Sequence, residues 1–117
     1  PLAMATGGRI WVAAAEGDAA IVDAEVVRLL EYARTGTASA AVTAIGLMKA
    51  GRQAEAATWV DRAMDLGDRI LLSDPRFVLL PEDLADPTLR AAIDKPPLDT
   101  LFEIRRRNLA LQTEAKP

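Results

Sequence analysis

The side chains able to carry chemistry in this 117-residue chain are carboxylates, lysines, arginines, one tyrosine and hydroxyls, because it contains no histidine and no cysteine. That removes thiolate and imidazole nucleophiles and bases, and with them the nitrogen and sulfur ligands of transition metals. The densest acidic group is Glu82, Asp83 and Asp86, in a segment bounded by Pro81 and Pro87. Two carboxylates act as acid and base only where burial or mutual repulsion raises the pKa of one of them. No apolar wall brings two acids together here, and an acid placed before a proline caps a short helix instead. Phosphate-cradling glycine loops and metal-spaced ligand sets are absent from the sequence. The expectation is a chain that is not an enzyme and needs no cofactor or metal.

Binding chemistry is the alternative, and charge limits its partners. Fourteen basic and 17 acidic side chains leave a net charge of -3, which offers no general attraction to phosphate backbones or anionic lipid. Arg105, Arg106 and Arg107 form the one basic cluster. Consecutive helical residues point in three directions, and Glu103 stands three and four positions before Arg106 and Arg107, so the cluster reads as a solvated, internally paired face. Neither nucleic acid nor membrane is expected as a partner, and a protein or peptide is. No apolar run approaches the roughly 20 residues of a spanning helix, and cytoplasm is the expected compartment. The opening Pro1-Leu2-Ala3-Met4 suggests that residues 1–6 are an appended scar or disordered, with the domain itself covering residues 7–112.

The elements that must position these groups are helical. Gly17, Gly36, Gly51 and Gly67 recur at near-regular intervals, each about the length of one ordinary helix and its turn. That is the spacing expected if each closes a helix in the left-handed conformation. Segment 18–34 sets Val22, Val26, Leu29, Leu30 and Ala33 on one stripe. Thr37 or Ser39 can cap a helix that carries Val42, Ile45 and Met48 and stops at Gly51, and its partner runs over 53–66 with Ala56, Val60 and Ala63 inside. Asp74-Pro75 and Asp86-Pro87 each predict a short helix, and Leu98, Leu101, Phe102 and Leu109 mark a last helix over 98–112, with 113–117 frayed. Segments 9–13 and 19–23 could instead pair as a β-hairpin, although their alanines suit strands poorly. Trp11 is expected in the core.

Between positions 37 and 68 the chain resembles a tetratricopeptide repeat, the two-helix unit of roughly 34 residues whose stacked copies form a groove. Ala44 takes the small position of the first helix, Gly51 closes it, and Ala56, Val60 and Ala63 fill the small, large and small positions of the second. Ala40, Thr43, Leu47 and Asp68 depart from the family's Trp, Leu, Tyr and Pro. The shift by one repeat that carries Gly17 onto Gly51 also sets Val22, Val26 and Leu29 against Ala56, Val60 and Ala63, which suggests a preceding repeat. Leu72-Ser73-Asp74-Pro75-Arg76-Phe77 is similar to endings of helical repeat regions in some bacterial regulatory proteins. Ankyrin repeats are the nearest rival, and they too imply protein binding.

The resemblance implies a groove lined by the outward side of the first helix, with Ala38, Ala41, Ile45, Met48 and Lys49. An apolar partner helix would suit it better than a peptide carboxylate, because Ala41 and Ile45 replace two positions of a carboxylate clamp. Ile45 and Met48 could instead simply bury against the 18–34 helix or the C-terminal helix, and that reading is favoured over a groove. Trp59, beside the core position Val60, is the other candidate anchor. The expected fold is all-α, about five to seven helices in a short array of tetratricopeptide-like hairpins closed by a long C-terminal helix. Its expected function is a protein-interaction module. The alternatives are an oligomerisation or regulatory domain of a larger bacterial protein, and a small-molecule sensor or enzyme accessory domain.

Overall fold

The computed structural model describes residues 2–68, 86–96 and 98–115. They form six helices and no strand: α1 Leu2–Ala15, α2 Ala19–Arg34, α3 Ala40–Lys49, α4 Gln53–Asp65, α5 Pro87–Ile93 and α6 Leu98–Ala115. The short helix expected at Asp74-Pro75, the Asp-Pro-Arg-Phe phrase, Glu82 and Asp83 all lie outside the described residues.

The first four helices make two hairpins, and their turns are built alike. At the end of α1 the Asp18 amide donates to the Ala13 carbonyl at 2.9 Å and the Gly17 amide to Ala14 at 3.2 Å. At the end of α3 the Arg52 amide donates to Leu47 at 2.9 Å and the Gly51 amide to Met48 at 3.0 Å. Both turns use the last free carbonyls of a helix, and both need a residue at positive φ, supplied by Gly17 at 73° and Gly51 at 79°. The register that relates Gly17 to Gly51 extends into the core. Ile10 and Ala44, Ala13 and Leu47, Val22 and Ala56, Val26 and Val60, and Leu29 and Ala63 are corresponding positions, and every one of them is buried.

Packing follows the order of the hairpins. α1 lies on α2 and also on α3, α2 touches α3, α3 packs on α4, and α4 on α5. The α2–α3 approach is close because Gly46 faces Leu29, and a Cβ at Gly46 would overlap Leu29 Cδ2. Two buried threonines fit this apolar interior by bonding within their own helices, Thr6 to the Leu2 carbonyl at 3.0 Å and Thr43 to the Ser39 carbonyl at 2.8 Å.

Capping sets the helix starts. Asp18 accepts from the Ile21 amide and Ser39, rather than Thr37, from the Val42 amide, each at 3.2 Å. The Ala41 amide donates to Asp68 Oδ2 at 3.2 Å, so a residue just beyond α4 ties the end of the second hairpin back to its start. Asp86 caps α5 through the Leu89 amide at 2.8 Å, with Pro87 in the first turn, and its own amide donates to Gln53 Oε1 at 2.9 Å.

At both ends of the chain the helices run further than the sequence reading placed them, and one alternative is decided. Residues 2–6, expected outside the domain, are the start of α1, with Ala3 and Thr6 buried. Segments 9–13 and 19–23, weighed as a hairpin of strands, are helical. The last helix runs to Ala115 rather than 112, anchored by buried Leu98 and Phe102, while residues 107–114 are exposed throughout, including Leu109.

Candidate interaction surface

The surface with most binding potential is the outer side of α1. This helix buries Ala3, Thr6, Gly7, Ile10 and Ala13. Each residue turns the side chain by about 100°, so Trp11 follows Ile10 onto the flank of that stripe rather than its centre. Trp11, expected in the core, keeps 57% of its exposure, and Met4, Val12 and Leu2 keep 52%, 56% and 62%. Met4, Gly8, Trp11 and Ala15 run along one line of the helix, with Val12 beside them. Arg9 is the helix's one charged residue.

Both flanks of this strip are tied down. On the α3 side the Lys49 ammonium stands 5.5 Å from the centre of the Trp11 ring, a contact worth about 0.5–1 kcal/mol at an exposed site. On the α2 side Arg9 Nε donates to Glu25 Oε2 at 3.1 Å and Arg9 Nη2 to Thr6 Oγ1 at 2.9 Å, and Arg28 also reaches Glu25 at 3.5 Å. The apolar strip is therefore held on a fixed frame.

The residues expected to line a groove on α3 fare differently. Ala38 and Ala41 are buried and Ile45 retains 9% exposure, so all three belong to the core and offer no area to a partner. The helix that carries Ala41 and Ile45 packs against α1, α2 and α4, and Ala38 lies just before its cap. Met48 and Lys49 are half-buried, and Lys49 joins the α1 strip through Trp11. Trp59 is half-buried on α4 with the Arg62 guanidinium 4.4 Å over its ring, a contact within its own helix.

No family model, curated protein or solved structure matches the chain.

Other charged groups pair locally. Arg106 and Arg107 reach Glu103 at 3.6 and 3.7 Å, as their spacing predicts. Arg34 donates to Glu31 through two nitrogens, and this hydrogen bonding holds the Glu31 carboxyl below its ordinary range. A cleft of about 580 Å³ lies between the α3–α4 turn and the start of α5. Its Arg52 is engaged by Asp23 at 2.8 Å and Glu55 at 3.6 Å, and its Gln53 by the Asp86 amide. Among the described residues no cluster of three acids could hold a metal ion, and no helix is long and apolar enough to cross a membrane.

Sequence reasoning missed Leu2, Met4 and Val12. The signal was available: a helix apolar all round, with Arg9 as its single charge, has more apolar surface than one contact covers.

Proposed function

We propose that this chain is a protein-interaction module that receives a partner segment on the outer face of α1. The observation that carries the reading is Trp11, more than half exposed on an apolar strip with the Lys49 cation over its ring. A large rigid aromatic in that setting loses little conformational freedom on binding and gains much buried area. The matching register of the two hairpins and their order of packing support a helical-repeat surface of the tetratricopeptide kind.

Affinity capture from a native-source lysate tests it, with parent chain and a Trp11→Ser variant as baits and circular dichroism to establish that both are folded. Proteins retained by the parent and lost with Trp11→Ser are the expected result. Equal recovery by both baits would contradict a role for α1.

A second reading, self-association, has the far half of α6 in its favour. Leu109 and Leu111 are half exposed or more on a helix that extends about 27 Å, and Ile104 in its first half is about half exposed as well. Light scattering would show a concentration-dependent dimer abolished by Leu109→Glu, and a strict monomer would dismiss it.

A further inference from the structure

α1 and α3 hold corresponding places in the two hairpins, so their burial can be compared position by position. Thr6, Gly7, Ile10 and Ala13 are buried, and so are their counterparts Ala40, Ala41, Ala44 and Leu47. The two helices part at Arg9, Trp11 and Val12, which are exposed on α1 while their counterparts Thr43, Ile45 and Gly46 are buried on α3. What distinguishes α3 is the hairpin packed in front of it. Besides its own partner α4 it carries both α1 and α2, and Leu29 of α2 seats directly on Gly46. The exposed strip of α1 is therefore the face that α3 buries beneath a preceding pair of helices.

We infer that the occupant of the α1 strip is a two-helix hairpin of a partner protein, stacked on α1 as the α1–α2 hairpin is stacked on α3. The inference rests on reading the outer face of α1 as the interaction surface, and it continues an interface the chain already contains. Width favours two helices over one. Positions 9, 11, 12, 14 and 15, all exposed on α1, spread over about 220° of the helix at about 100° per residue. A single packed face takes a stripe of about 100°. Shape limits the hairpin further. Val12 stands where Gly46 receives Leu29, so the partner's second helix must bring a small side chain to that point in place of a leucine. This chain has a small residue at the corresponding place on α4, Ala63. It is fully buried, and α5 already packs on that helix, so an intact second copy does not present it.

The test is selection on the immobilised parent chain from two displayed libraries, one of single-helix peptides and one of two-helix hairpins, with each binder re-measured against folded Trp11→Ser. Binders that need Trp11 are expected from the hairpin library, with Gly, Ala or Ser at one invariant point of the contact. Enlarging that residue to Leu should weaken binding to the parent about tenfold, and Val12→Ala should restore part of the loss. Single helices that bind through Trp11 as tightly as any hairpin, or hairpins indifferent to the size of that residue and of Val12, would overturn the stacked hairpin and leave the interaction surface standing. A dimer of the parent in light scattering that Trp11→Ser abolishes would replace the hairpin with a second copy. Recovery of no Trp11-dependent binder from either library would remove both the hairpin and the surface.

Discussion

At Gly46 two effects of opposite sign can be weighed. Alanine is favoured over glycine inside a helix by about 1 kcal/mol, but its Cβ would overlap Leu29 Cδ2. Leu29 is fully buried, so it has no open space to turn into. Overpacking of this kind costs about 1 to 3 kcal/mol, and urea denaturation of Gly46→Ala should show a net loss of about 1 kcal/mol; a gain would mean that α2 and α3 are less tightly apposed. Ionisation gives a second prediction at this scale. Glu31 is lowered chiefly by the hydrogen bond from Arg34, against a smaller opposing effect of burial. Its contribution is therefore present above the ordinary glutamate range and lost as pH falls through the lowered folded value. Both side chains are more than half exposed, so the effect on stability is slight. NMR titration of Arg34→Ala should return Glu31 toward its ordinary value, and an unchanged titration would remove the ion pair as its cause.

Among the elements, α3 depends on a cap that arrives from a distance. Ser39 serves the Val42 amide and Asp68 the Ala41 amide, the latter from the far end of the second hairpin. Asp68→Ala should cost about 1 kcal/mol, as losses of helix N-caps do. Asp68→Asn, which keeps an acceptor oxygen, should recover most of it in thermal denaturation; equal loss in both would place the effect in charge rather than in the hydrogen bond. The glycines at helix ends are legible in the sequence because positive φ is a local demand, and the stripes of α2 and α4 because helical period is local too. Ser39 and Asp86 are legible as caps for the same reason. The role of Asp68 is not, since a long-range bond leaves no trace in spacing, and the residue reads only as a departure from a repeat pattern. α1 misleads for a related reason: its alanines and glycines define no single face, so its first turn passes for a disordered leader and Trp11 for a core residue.

In the whole molecule, burial divides the hairpins in a way that spacing alone does not reveal. The inner helix α3 is consumed by its neighbours, so the groove expected through Ala41 and Ile45 is closed, and Ile45→Asp should unfold the chain by burying a charge rather than merely block a partner. Circular dichroism would show that loss, and a folded variant would reopen α3 as a binding face. The outer helix α1 keeps an exposed apolar strip along Met4, Trp11 and Val12. On the proposed reading, that strip is where a partner sits. Hydroxyl-radical footprinting of the parent chain, alone and saturated with a captured or selected partner, measures this most directly, because Met4 and Trp11 are both readily oxidised and both exposed in the free chain. Protection of Met4 and Trp11, with Trp59 and the far half of α6 unchanged, is the predicted result. Protection at Trp59 or at Leu109 and Leu111, with Met4 and Trp11 as reactive as before, would contradict it.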